Sequence, residues 1–195
     1  SIAFAHYGWF LTLTGKLDEA VKSMKTAAEI DPTDPLMQGY LAWLYLWMGN
    51  NEEAITEADK TLQIDPNYTM AYYVKGSAYA EMGRYAEAIE TNNKGLAIDS
   101  SYVVGLGVAY ARAGQKENAL KIASGMEKNL NSWNAWGLAE VYAALGDKDK
   151  AIHFLEEAYK MRQDFIPWMK YAYNFKLLRD DPRFKDIVSR LHLPE

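Results

Sequence analysis

The sequence predicts an all-α chain assembled from stacked helix pairs, and three observations carry that prediction. Gly15, Gly49 and Gly83 recur at a step of 34 residues, and Ala20, Ala54 and Ala88 keep the same step, as do Pro32 and Pro66. A fixed period of this length marks repeated supersecondary units that bury their apolar faces on one another. Each of these glycines is followed five residues later by its alanine, and Gly114–Ala119 and Gly146–Ala151 keep that offset after slipped steps of 31 and 32. The phrase EIDPTDP at residues 29–35 returns as QIDPNY at 63–68 and, weakened, as AIDSSY at 97–102.

Within each unit the elements follow in order. The glycine ends a first helix because it takes the left-handed conformation that a helix C-terminus favours. Polar residues such as Asn50-Asn51 or Asp147-Lys148 make the turn. The second helix carries small residues on one face, Ala20, Ala27 and Ala28 in the first unit and Ala151 and Ala158 in the last. These let two helix backbones approach. Asp-Pro then stops the second helix, since proline lacks the amide hydrogen and restricts the residue before it. Helices are expected at about 2–14, 17–30, 34–48, 51–64, 68–82, 85–98, 101–113, 116–129, 132–145 and 148–162.

The pattern resembles the tetratricopeptide repeat (TPR), a family of about 34 residues per unit with small residues, tyrosine, glycine, alanine and proline in fixed order. Gly8, Gly15, Ala20, Ala27 and Pro32 fit in the first unit. Gly76, Tyr79, Gly83, Tyr85 and Ala88 fit in the third, and Gly107, Tyr110, Gly114 and Ala119 in the fourth. Leu11 stands in place of the first tyrosine, Thr61 and Gly95 in place of an alanine, and Ser100 in place of the third proline. The resemblance implies a right-handed α-solenoid of about five helix-turn-helix pairs over residues 1–165, divided near 1–34, 35–68, 69–99, 100–131 and 132–165. The slip at Asp99-Ser100 is expected to change the helix-pair angle and to leave the weakest interface of the stack there.

Residues 166–195 read as a C-terminal helical cap, which a solenoid needs over its last apolar face. Asp181-Pro182 is a helix start, with Asp as N-cap and Pro in the first turn. Phe184, Ile187, Val188 and Leu191 then form one face, expected to pack on Phe154, Leu155 and Ala158. This segment is basic, with six Lys/Arg against four Asp/Glu. Leu178-Arg179, Asp181-Pro182-Arg183-Phe184, Leu191 and Leu193-Pro194 also resemble the ending of repeat arrays attached to bacterial signalling proteins: adenylate-cyclase-type enzymes, winged-helix regulators and serine/threonine kinases. That resemblance implies a bacterial origin and an effector domain elsewhere in a longer chain. The start at Ser1, directly in helical pattern, fits an excised piece.

Composition excludes several functions. The chain has 195 residues, a net charge of −5 and a pI near 5.3, which disfavours coating nucleic acid or an anionic membrane. With 49% hydrophobic residues it is not a disordered chain. It has no cysteine, hence no thiolate nucleophile or Cys-ligated zinc. The absence of cysteine suits both the cytoplasm, the expected location, and an exported protein. The most apolar run, residues 40–48, is far short of the ~20 residues of a membrane span. No phosphate loop or HExxH pair occurs, and Gly105-Leu106-Gly107 has no preceding strand. His6, His153 and His192 fall in separate elements and read as surface or packing residues. No cofactor, metal or catalytic residue is expected.

The candidate site is the concave face of the first helices. Their small residues Gly8, Ala42, Gly76, Gly107 and Ala139 pack against the second helices, so offsets of −3, +1 and +4 should look into the groove. That rule selects Trp9, Trp43, Tyr73, Ser77, Trp136 and Glu140, with Trp47, Trp133 and Tyr40 beside them. A single tryptophan at helical spacing is more often core; a repeated aromatic position that should meet solvent indicates a binding face. The expected partner is a peptide or protein segment with apolar anchors, held by a non-enzymatic scaffold. The groove offsets carry no lysine or asparagine, so the carboxylate clamp of chaperone-binding TPR arrays is not carried over. The alternative is a regulatory or sensory module cut from a larger bacterial signalling enzyme or transcription regulator.

Overall fold

The computed structural model describes residues 1–193; Pro194, part of the terminal motif, and Glu195 lie outside them. Among the described residues the regular structure is helical throughout, with no strand. The packing divides the chain into two compact units, Ser1–Tyr102 and Val103–Leu193.

The first unit contains three helix pairs: α1 (Ile2–Leu13) with α2 (Leu17–Ile30), α3 (Pro35–Met48) with α4 (Asn51–Ile64), and α5 (Thr69–Glu81) with α6 (Tyr85–Ile98). The turns within pairs have a common chemistry. Gly15, Gly49 and Gly83 have φ between 73° and 80°, as do Gly114 and Gly146 in the second unit. In that conformation the amide after the glycine turns back onto the helix. Asn50 N–H reaches the Tyr45 carbonyl at 2.9 Å and Arg84 N–H reaches that of Tyr79 at 2.9 Å. A side chain with a Cβ would be strained at these φ values.

Small residues let the paired helices close. Ala20, Ala27, Ala54, Ala58 and Ala88 are fully buried on the second helices, and Ala42 on the first. A Cβ built on Gly8 would lie 2.7 Å from Met24 Cγ, and one on Gly76 would collide with Asn92 Nδ2. Asn92 is buried and donates to the Ala88 carbonyl at 2.9 Å, so its amide is not stranded. Successive pairs stack through the same surfaces: Met37 of α3 joins Ala5, Ala27 and Ala28 in one buried cluster. Lys75 Nζ donates to Asp59 Oδ1 and ties α5 to α4.

The helices fall close to the expected spans, and the late start of the seventh has a local cause. At Asp99-Ser100 the Asp-Pro stop is missing, and Ser100–Tyr102 form a 3₁₀ turn in which Ser101 N–H bonds Asp99 Oδ1 at 2.9 Å. The next helix, α7, therefore begins at Val103, not near 101. The boundary between the two units falls at this slipped repeat.

The second unit contains α7 (Val103–Arg112) with α8 (Lys116–Glu127), α9 (Ser132–Ala144) with α10 (Lys148–Lys160), and a C-terminal segment. That segment has 3₁₀ turns at Ile166–Trp168 and Tyr173–Leu178, then α11 (Pro182–Ser189). Asp181 caps α11 by accepting from Arg183 N–H at 2.9 Å. Phe184 and Ile187 are buried, while Val188 and Leu191 are half-buried. Arg183 bonds Asp149 at 2.8 Å, and Arg190 pairs with Glu156 and lies 4.6 Å over the Tyr159 ring, fastening α11 along α10.

Candidate aromatic binding face

In the first unit the selected side chains meet. Trp9 of α1 lies 5.6 Å from Tyr40, 6.3 Å from Trp43 and 5.3 Å from Trp47, measured between ring centroids. Trp43 contacts Trp47 at 6.0 Å and Tyr73 at 6.1 Å, and Tyr73 reaches Tyr102 at 6.3 Å. Most of these pairs are edge-to-face, the arrangement that sets a ring's positive rim on its neighbour's negative face. The result is one continuous aromatic strip across α1, α3 and α5.

The strip is largely closed over itself. Trp43 is 8% exposed, and Trp47 and Tyr73 are similarly buried, as is Ser77 beside them. Trp9 and Tyr40 are half-buried and form its accessible part. Offset counting anticipates solvent at Trp9, Trp43, Tyr73 and Ser77, with Trp47 and Tyr40 beside them. It does not include the mutual cover that rings of this size give one another.

Two residues that sequence reasoning missed border the strip. Tyr68 lies over Gly39, whose Cβ would come within 2.8 Å of its ring, and Tyr102 lies against Tyr73. Burial pushes the hydroxyl pKa of both upward, and that of Tyr40 as well, so this rim stays neutral and hydrogen-bonding through the physiological range. The signal was present in the sequence: Tyr68 and Tyr102 end the recurring phrases QIDPNY and AIDSSY, one repeat apart.

In the second unit the equivalent face is covered by the chain itself. Phe165 lies 5.9 Å from Trp133 and 6.3 Å from Trp136, and Phe175 meets Trp136 edge-on at 5.0 Å. Glu140, 4% exposed, accepts from Trp136 Nε1 at 3.0 Å and from Asn174 Nδ2 at 3.0 Å. Arg112 donates to Asn174 Oδ1 at 3.4 Å and stands 5.7 Å from the Tyr173 ring centroid. Trp133, Trp136 and Glu140 thus hold the C-terminal segment against α9. Periodicity could not bring Arg112 to Asn174, because the two lie in separate elements far apart in the sequence.

The remaining polar candidates have structural surroundings. His6, His153 and His192 are exposed, with His153 against the Phe154 ring at 4.9 Å. Glu156 pairs with Arg190, which holds its carboxyl below the ordinary range. Among the described residues no group of three or more His, Cys, Asp or Glu side chains is placed to hold a metal ion, and no helix is long and apolar enough to cross a membrane.

Comparison with known proteins agrees with this architecture. Three family models described as tetratricopeptide repeat match residues 11–67, 41–103 and 136–165. A comparison with curated protein sequences finds no match. Among solved structures, a thermophilic TPR protein of Thermus thermophilus superposes with a TM-score of 0.64 at 20% identity, covering 89% of this chain and 97% of that one. PilW, described as a widely conserved type IV pilus biogenesis factor, gives 0.59 at 18% identity over 97% and 90% of the two chains. YrrB, described as a TPR protein with an unusual peptide-binding site, gives 0.51 at 15% identity over 84% and 87%. At these identities the likeness is one of fold. Together the family matches span residues 11–103 and 136–165, more than half of the chain, which belongs to the tetratricopeptide-repeat family.

Proposed function

We propose that the chain is a non-enzymatic scaffold that binds a peptide or protein segment along the aromatic face of its first unit. The observation that carries this reading is the strip from Trp9 through Trp43 and Trp47 to Tyr73, bordered by tyrosine hydroxyls and open at Trp9 and Tyr40. Aromatic side chains on preformed helices bury a partner's apolar groups at little ordering cost to the scaffold. α1, α3 and their shared strip carry no lysine or arginine, so the partner is recognised by two or more bulky apolar anchors. Peptide binding by the structurally similar YrrB supports a peptide as the partner class. In the regulatory-module alternative, the groove or the ends of the array bind an effector domain of the same longer chain.

The test selects peptides from a random display library against the intact chain, then titrates the tightest into wild type, Trp9→Ala and Tyr40→Ala. The selected peptides should share apolar anchors, bind with weak salt dependence, and lose about tenfold or more in affinity on Trp9→Ala. Binding that depends on peptide charge, or is unchanged in both variants, contradicts the proposal.

A further inference from the structure

Several tyrosine hydroxyls of the chain are engaged within it. Tyr72 Oη donates to the Pro66 carbonyl at 3.0 Å, Tyr142 Oη donates to Glu127 Oε1 at 2.7 Å, and Tyr102 is hydrogen-bonded to Thr69. Tyr40 and Tyr68 have no such partner among the described residues, and both are half-buried with the hydroxyl reaching solvent. Burial raises the pKa of both, so each stays a neutral group that donates one hydrogen bond and accepts others.

The place of Tyr68 is built into the fold. Tyr68 stands just before α5, and its ring lies over Gly39 of α3. A Cβ on Gly39 would lie 2.8 Å from that ring and 2.7 Å from Met70 Cε. The Gly39 backbone is helical and needs no left-handed residue, and glycine inside a helix weakens it relative to alanine. What the missing side chain provides is room for the neighbours from α5 and the turn before it. Gly39 is one residue before Tyr40 and one turn before Trp43, so the Tyr68 ring comes to rest beside both, with its hydroxyl near enough to that of Tyr40 for the two to interact electrostatically.

We infer that the Tyr40 and Tyr68 hydroxyls bind the main chain of an extended peptide segment while the strip takes its apolar side chains. This rests on the reading of the strip as a peptide-binding face. An extended segment leaves its N–H and C=O groups without internal partners, and ring faces are poor substitutes for them. Laid against the strip alone, those groups would lose water and gain nothing. Two solvent-reaching hydroxyls at the edge of the strip meet that need. A helical segment satisfies its own backbone and has no use for them. Alternate side chains of an extended segment point to one side, so its apolar anchors should stand at i and i+2. Neutral hydroxyls also fit binding with weak salt dependence.

The test titrates a display-selected peptide into wild type, Trp9→Ala, Tyr40→Phe, Tyr68→Phe and the double Phe variant, with circular dichroism of each complex. Each single Phe change should weaken binding about three- to tenfold, and the double change more than about tenfold. Melting temperatures should stay at the wild-type value, because neither hydroxyl has a partner within the described chain. The peptide should gain no helix signal on binding. Binding that is lost in Trp9→Ala but unchanged in the double Phe variant overturns this inference and leaves the strip as a peptide-binding face. A gain of helix on binding does the same. Binding unchanged in Trp9→Ala overturns both.

Discussion

The first unit and the second begin from the same repeat positions and use them differently. In the first, the aromatic residues on α1, α3 and α5 face one another and leave Trp9 and Tyr40 accessible. In the second, Trp133, Trp136 and Glu140 of α9 are engaged by Phe165, at the end of the array, and by Asn174 and Phe175 of the C-terminal segment. An aromatic groove position is thus compatible with either an open binding face or an internal seat. The difference is whether the chain itself provides the complementary side chains.

The largest expected effect comes from the centre of the first strip. Trp43→Ala removes a buried indole that touches Trp9, Trp47 and Tyr73, and should cost about 3–5 kcal/mol in denaturant unfolding. A loss below about 1 kcal/mol would mean that the strip is a solvated surface. Next, Glu140→Ala strands the Trp136 indole N–H and the Asn174 amide, and should cost about 1–3 kcal/mol and free the C-terminal segment for proteolysis. A protease-resistant variant would separate Glu140 from the seating of that segment. Gly76→Val should cost a similar about 1–3 kcal/mol, because its Cβ meets the buried Asn92 amide. Thermal melting of that variant checks the close approach of α5 and α6.

The fold was legible because its signals are local and repeat. Gly49 needs its left-handed turn whatever surrounds it, and Asp181 caps α11 with its own side chain. The face was legible in part. Periodicity put Trp9, Trp43 and Tyr73 on one side of three helices, and they meet there. It could not show that the rings cover each other, nor that Asn174 reaches Glu140 across 34 residues of sequence, because both depend on how elements pack.

A smaller effect concerns acid. Asp181 accepts from Arg183, which lowers its pKa to about 2, and Arg190 lowers that of Glu156. Groups whose folded pKa is depressed stabilise the fold above their unfolded values and lose that contribution as pH falls through the folded ones. Attachment of α11 should therefore be constant above about pH 5 and weaken from about pH 4 toward pH 2. Proteolysis near residue 180 with an acid-active protease, or the exchange rate of α11 amides corrected for pH, would follow it. Weakening that begins on raising the pH above 5 would contradict these pairings.

The contrast between the two faces is tested most directly by a hydrogen-exchange footprint of the intact chain with a display-selected peptide bound. The account predicts slowed exchange in α1 and α3, around residues 5–13 and 39–48, and no change in α9 around 133–143, where the chain's own segment is seated. Slowing confined to α9 and the C-terminal segment, with α1 and α3 unchanged, would contradict it.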